Sequence, residues 1–311
     1  MNRSPNFINI GTGRCATSWL FEVLRSHPDI GMATVKETEF FNTNFANGTD
    51  WYERHFLDGN QKAVGEISTN YYLDPEVAQR IHDYKPAMKI MINVRKPIDL
   101  LRSYYQFGLR RGVDMQDCQS VLDQPIGPIM GSGYEYRERK KCLTVCDQRT
   151  LLEAVCLEAR LRPYFKRFPS ENIYVLIYER LASQQEQVLA EIYEFLGVDS
   201  KFKPEAAAKV VNVAIAPKSK AIARIATRAS FLLRRLGLYS LQHFLKENEL
   251  VKQMLYSRES ASNLRQDVFR SLPAALISQL ENETEKMAAL YPALAPWWTA
   301  NTQVKSSSMP V

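Results

Sequence analysis

The sequence predicts an α/β fold of three layers, with a central parallel β-sheet flanked by helices. Two observations lead to it. Short apolar runs at Phe7 to Ile10, Lys89 to Val94 and Ile173 to Ile177 are hydrophobic at successive positions, as strands buried on both faces are. Segments with helical spacing of apolar residues follow, and strands alternating with helices give a parallel sheet covered on both sides. The 311 residues, 45% of them hydrophobic, suffice for a substantial core.

After the first run, Trp19, Leu20, Val23 and Leu24 fall on one helical face, and Ser26-His27-Pro28 closes the helix. After the second, Pro97 stands early in a helix, where its missing N–H costs little. Ser103 then lies about two turns along that helix. After the third, Val188, Leu189, Ile192, Phe195 and Leu196 make an amphipathic helix, with Gly197 at the C-cap. Residues 110–150, punctuated by Gly127, Gly131 and Gly133, read as loops and short helices over the sheet edge. From about residue 205 the chain reads as helical and basic, with Lys209, Lys218, Lys220, Arg224, Arg228, Arg234 and Arg235. Leu272 to Leu290 reads as a further helix. Residues 1–300 are expected to form a single domain, and Asn301 to Val311 a frayed tail. No internal repeat interrupts this order.

Lys plus Arg exceed Asp plus Glu by 40 to 34, a net +6 that suits an anionic ligand without demanding nucleic acid or a membrane surface. The cysteines, Cys15, Cys118, Cys142, Cys146 and Cys156, are odd in number and lack framework spacing, which argues for free buried thiols. Cys142 and Cys146 lie four apart with no second pair to complete a zinc site, so no metal is expected. His27, His55, His82 and His243 make no ligand pair and read as structural. Met1 to Asn6 is polar and runs straight into an apolar strand, unlike a signal peptide. No stretch reaches the roughly 18 apolar residues of a membrane span. A cytoplasmic location with no membrane span is therefore expected.

The most informative stretch is Gly11-Thr12-Gly13-Arg14-Cys15-Ala16-Thr17-Ser18-Trp19, a loop of small residues between a strand and a helix start. Backbone N–H groups in such a turn converge on an anion, and the helix N-terminus adds about half a positive charge. Arg14 supplies a full charge, and the Thr17 and Ser18 hydroxyls further donors. The plainer alternative is a tight turn in which Thr17 and Ser18 serve as caps. In the nucleoside-triphosphatase loop GxxxxGK[ST], Lys reaches the phosphates and Ser/Thr holds magnesium; counted from Gly11, Ala16 and Thr17 occupy the Gly-Lys positions. This disfavours a kinase or GTPase.

Arg95, at the end of the second strand, falls where ligands bind in open parallel sheets. Arg95 with Ser103 could hold a second phosphate through charge-assisted hydrogen bonds; the plainer alternative is a surface arginine and a solvated serine. Two anion sites on strand ends suit a ligand that carries two phosphates. Tyr178, after the third strand, could contact a base or fill the core.

Arg14 to Trp19 resembles the 5′-phosphosulfate loop of the sulfotransferases, [KR]-S-G-T-T-[WL], with Cys15, Ala16 and Ser18 in place of Ser, Gly and the second Thr. Arg95-Lys96-Pro97 with Ser103 is similar to the family's R-[NDK]-P…S. Tyr178-Glu179-Arg180-Leu181 with Phe195-Leu196-Gly197 is similar to Y-E-[DR]-L…F-[LV]-G. Lys36-Glu37-Thr38-Glu39-Phe40-Phe41 resembles the K-E-x-[HE]-[FY]-F segment of the bacterial and heparan-sulfate-like branch, although Glu39 stands where many members have His. The segment Gly65 to Tyr72 resembles G-E-[KA]-[ST]-P-x-Y, which lines the acceptor side; Ile67 replaces a Lys of the heparan-specific members, pointing away from a sulfated polysaccharide. The resemblance covers about residues 7–200.

It implies a P-loop-type sandwich that uses 3′-phosphoadenosine 5′-phosphosulfate (PAPS) as donor, without metal. Gly13, Arg14, Cys15, Ala16, Thr17, Ser18 and Trp19 would bind the 5′-phosphosulfate, Arg95 and Ser103 the 3′-phosphate, and Tyr178 the adenine. Glu37 would be the general base, with Lys36 favouring its ionised form, and Arg14 would stabilise the leaving 5′-phosphate oxygen. The implied reaction moves a sulfuryl group to a hydroxyl or amine of a carbohydrate, lipid or small metabolite, releasing adenosine 3′,5′-bisphosphate. A P-loop nucleotide kinase and a noncatalytic anion- or nucleic-acid-binding protein are the alternatives.

Overall fold

The computed structural model describes residues 4–57, 59–110, 154–208 and 272–298, with a few positions between 216 and 257. Gly127, Gly131, Gly133, Cys118, Cys142, Cys146, His243, the basic residues from Lys209 to Arg235 and the tail 301–311 lie outside the described residues. Among the described residues, five strands form one parallel sheet: β1 (Phe7–Asn9), β2 (Ile30–Met32), β3 (Ala63–Ile67), β4 (Lys89–Val94) and β5 (Ile173–Ile177). The order is β2-β3-β1-β4-β5. The chain builds to one side of β1 with β2 and β3, then crosses over to β4 and β5. The crevice at the carboxyl end of β1 therefore lies at a topological switch point.

Strand alternation sorts the side chains into two layers. Phe7, Ile67, Met91 and Leu176 face one side, where they meet Trp19, Leu20, Val23 and Leu24 of α1 (Thr17–Arg25) and Val188, Leu189, Ile192 and Leu196 of α6 (Gln185–Leu196). Ile8, Ile90, Ile92, Val94, Val175 and Ile177 face the other. That side is covered by α3 (Val77–Tyr84), α4 (Pro97–Arg110), α5 (Leu157–Arg167) and α7 (Ala274–Leu290), and α7 packs on both α4 and α5. A short α2 (Thr49–Glu53) precedes β3, and α8 (Ala295–Trp298) follows α7. The predicted three-layer arrangement is thus the one observed.

The boundaries follow local chemistry. Pro97 is the first residue of α4. Gly197 takes the left-handed conformation at φ 77°, and Val198 N–H reaches back to Tyr193 O at 3.0 Å, closing α6. Gly65 in β3 has no room for a side chain, because a Cβ there would fall 2.2 Å from Phe7 O. One expectation is corrected: neither Thr17 nor Ser18 caps α1. Its N-cap is Ala16, which is left-handed and makes no side-chain cap bond. His27 is structural, as read: Asp29 N–H donates to its Nδ1 at 3.0 Å, and its Nε2 lies 3.1 Å from Asp199 O.

Candidate active site at the carboxyl ends of β1 and β4

The loop after β1 is shaped by two buried asparagines in neighbouring strands. Asn9 Nδ2 donates to Asn93 Oδ1 at 2.7 Å, and Asn93 Nδ2 donates to Cys15 O at 2.7 Å. Asn9 Oδ1 accepts Gly11 N–H at 3.1 Å, and Asn93 O accepts both Thr12 N–H at 2.8 Å and Thr12 Oγ1 at 3.1 Å. Sequence reading passed over both residues. Their signal was present: an amide inside each apolar run, at Ile8-Asn9-Ile10 and Ile92-Asn93-Val94.

Along the loop, Arg14 (φ 69°) and Ala16 (φ 61°) are left-handed while Gly13 and Cys15 are not. Such alternation turns successive N–H groups to one side and forms an anion-binding concavity, here opening at the N-terminus of α1. A side chain on Gly13 would meet the Tyr104 hydroxyl at 2.8 Å, and one on Gly11 would meet Thr69 O at 2.4 Å. Cys15 is fully buried with Thr12 Oγ1 2.9 Å from its Sγ; burial pushes the thiol up to about 12, so it stays neutral. Thr17 is buried, Ser18 half-buried, and the Trp19 indole sits in the core, donating to Ala207 O at 3.4 Å.

The two arginines follow neighbouring parallel strands. Arg14 Nε donates to Ser103 Oγ at 3.3 Å, and its guanidinium lies 4.8 Å from the Phe107 ring centroid. The Arg95 guanidinium lies 4.2 Å over the Tyr178 ring, and its Nε is buried without a hydrogen-bond partner. Both cations are near enough to the Cys15 thiol to oppose the effect of its burial. Ser103, grouped with Arg95 by the sequence reading, hydrogen-bonds Arg14. Beside this pair, Glu179 Oε1 accepts Lys96 N–H at 2.8 Å and Oε2 accepts Trp298 Nε1 at 3.0 Å.

The segment carrying Glu37 docks on the end of β3. Glu37 N–H donates to Ile67 O at 3.1 Å, and Glu37 is left-handed at φ 65°. Its Oε1 is 3.0 Å from Lys36 Nζ, with both side chains 24% exposed. The Tyr104 hydroxyl is pushed up mainly by burial, an effect that the Arg14 cation opposes and the Glu37 carboxylate adds to.

Beneath the segment lies Glu66, fully buried, accepting hydrogen bonds from four hydroxyls. Thr38 Oγ1 at 2.5 Å and Ser68 Oγ at 2.8 Å meet Oε2; Tyr71 OH at 2.7 Å and Tyr52 OH at 3.0 Å meet Oε1. Ser68 and Tyr71 in turn accept Glu39 N–H at 3.1 Å and Phe41 N–H at 3.3 Å. Glu66 therefore anchors the backbone that follows Glu37 instead of lining an open wall. Ile67 is likewise buried in the core. Glu39 is held by Asn42 Nδ2 at 2.8 Å and Asn70 Nδ2 at 3.0 Å.

A parallel sheet with a phosphate-type cradle at its switch point defines a P-loop-like α/β protein. Residues 4–228 match the sulfotransferase domain family, and the chain belongs to that family, whose members are transferases. It is 36% identical over 110 residues to the membrane-associated sulfotransferase kil1 of Dictyostelium discoideum, a match covering 34% of this chain and 23% of that protein. It is 25% identical over 197 residues to heparan sulfate glucosamine 3-O-sulfotransferase 3A1 of Mus musculus, covering 62% of this chain and 46% of that protein. The chain thus matches less than half the length of either relative. The crystal structure of a sulfotransferase from Alicyclobacillus acidocaldarius has the same fold, with a TM-score of 0.54 and 24% identity over 78% of this chain and 96% of that one. Among the described residues no helix is long and apolar enough to cross a membrane, and no His, Cys, Asp and Glu side chains cluster as a metal site requires.

Proposed function

We propose that this chain transfers a sulfuryl group from PAPS to a hydroxyl or amine of an acceptor, releasing adenosine 3′,5′-bisphosphate. The observation that carries this reading is that Arg14 and Arg95 follow the neighbouring parallel strands β1 and β4, whose carboxyl ends are tied together by the bonds of Asn93 to Thr12 and Cys15. The residues present suit the donor. The loop from Gly13 to Ser18, with Arg14, offers N–H groups and charge for the 5′-phosphosulfate. Arg95, with a buried and unpartnered Nε, has a donor free for an oxygen of the 3′-phosphate, and Tyr178 backs it. Ser103, bonded to Arg14, can serve either phosphate.

In this reading Glu37 takes the acceptor proton as the acceptor oxygen or nitrogen bonds to sulfur and the sulfur–oxygen bond to the 5′-phosphate breaks. Arg14 stabilises the negative charge left on the 5′-phosphate oxygen. The Tyr104 hydroxyl lies against Gly13 of the loop, on the side of the cradle proposed to face the acceptor. The acceptor class stays broad within the proposal: carbohydrate, lipid or small metabolite. The named acceptor of the murine relative, heparan sulfate glucosamine, favours the first. The proposal also takes residues 1–300 as one domain, supported by the packing of α7 on α4 and α5, and a cytoplasmic site of action, in keeping with the absence of framework spacing among the cysteines of the sequence.

Calorimetric titration with adenosine 3′,5′-bisphosphate tests the reading. Micromolar binding that is lost in Arg95→Ala is expected. Absence of binding to the wild-type chain would refute it.

A further inference from the structure

Trp298 lies in α8, well beyond residue 228, where the match to the family ends. It is nevertheless built into the candidate donor site. Its indole is 1% exposed, and Nε1 donates to Glu179 Oε2 at 3.0 Å. The other oxygen of Glu179 accepts Lys96 N–H at 2.8 Å. Lys96 follows Arg95 in sequence and Glu179 follows Tyr178, so this one carboxylate is bracketed by both members of the Arg95–Tyr178 stack.

A carboxylate beside a guanidinium ordinarily forms a forked ion pair with it, among the strongest side-chain contacts. Here no such pair forms. Among the described residues Arg95 has no hydrogen-bonding or ion-pair partner, and its buried Nε is left over. The two side chains are neighbours through the main chain, since Glu179 Oε1 accepts the N–H of Lys96, the residue that follows Arg95. The bonds from a main-chain N–H to one oxygen and from the indole to the other fix the orientation of the Glu179 carboxylate, and in that orientation it makes no ion pair with Arg95.

We infer that Trp298 is a positioning residue of the donor site: by holding Glu179 Oε2 it keeps this carboxylate off Arg95 and leaves the guanidinium for a phosphate. This rests on the function proposed above. Without the indole N–H, Oε2 turns to Arg95, and an incoming phosphate must displace it. The segment around residue 298 thereby sets donor affinity without touching the donor.

The test is calorimetry with adenosine 3′,5′-bisphosphate on Trp298→Phe, Glu179→Gln and the double variant, with thermal melting as a check on folding. Trp298→Phe keeps the ring and loses the donor; it is expected to bind about tenfold more weakly. In a coupled assay its KM for PAPS should rise more than kcat falls. The double variant, with a neutral amide that cannot pair with Arg95, should regain wild-type affinity, a rescue that mere loss of packing would not allow. Glu179→Gln alone carries no charge to compete for Arg95, although its single amide oxygen can accept from only one of the two N–H donors; it should bind near wild-type affinity with a lowered melting temperature. The inference is overturned if Trp298→Phe binds like wild type, if the double variant stays as weak as Trp298→Phe, or if Glu179→Gln binds as weakly as Arg95→Ala. Failure of the wild-type chain to bind at all would instead strike the proposed function.

Discussion

Asn9 and Asn93 join side chain to side chain at 2.7 Å between adjacent strands, and through Asn93 the bond continues to the main chain of Cys15. The cradle is therefore held by the sheet itself. Its geometry survives only while both amides stay paired, because each is fully buried.

Replacing Asn93 by Ala removes the partner of Asn9 Nδ2 and the side-chain donor to Cys15 O. A buried unsatisfied polar group costs about 1–3 kcal/mol, so Asn93→Ala should destabilise the fold by at least that and weaken nucleotide binding with it. Urea denaturation measures the first effect and calorimetry the second. Unchanged stability would mean that the amide chain does not hold the loop.

Ala16 adopts φ 61° and ψ 22°, a conformation that suits glycine. Ala16→Gly should stabilise the fold by up to about 1 kcal/mol, part of the gain being offset by the freer unfolded chain, with donor affinity retained. Ala16→Val, with a branched Cβ at the same φ, should lower the melting temperature. Differential scanning calorimetry on both variants checks the sign.

Glu37 is the carboxylate assigned to proton removal. Glu37→Gln should lose about 10²–10⁴-fold in turnover while keeping its affinity for adenosine 3′,5′-bisphosphate. The measurement is single-turnover release of the bisphosphate from PAPS in the presence of an acceptor. Turnover equal to wild type would reject this base.

Glu283 on α7 accepts Glu158 N–H at 2.6 Å, and burial pushes its carboxyl up from 4.5 to about 7. The folded protein thus holds a proton that the unfolded chain releases near 4.5. The associated stability is complete below that value and is lost as pH rises through about 7. Urea midpoints should fall between pH 5 and pH 8, and Glu283→Gln, which can still accept the N–H, should flatten that slope. An identical slope in the variant would assign the pH dependence elsewhere.

The parts legible in the sequence were those in which neighbours in the chain do the work. Lys89 to Val94 and Ile173 to Ile177 are predominantly apolar strands, and the Arg14 loop, Arg95 and Pro97 follow directly from strands β1 and β4. β2 and β3 escaped the reading: β2 is three residues long, and β3 carries Gly65 and Glu66 at its centre. A glutamate within a fully buried strand contradicts the apolar pattern unless its partners are known. Those partners, Thr38, Tyr52 and Tyr71, are supplied from outside the strand. The same distance hid Trp298, whose contact with Glu179 spans 119 residues. Ala16 could be flagged by residue type, but only backbone geometry shows it taking the left-handed turn that glycine would favour.

The central claim is that Arg14 and Arg95 grip two phosphates of one nucleotide. Calorimetry comparing adenosine 3′,5′-bisphosphate with adenosine 5′-monophosphate tests it most directly. The account predicts that the wild-type chain prefers the bisphosphate by about a hundredfold and that Arg95→Ala abolishes the preference. Equal affinity of the wild-type chain for both nucleotides would contradict it.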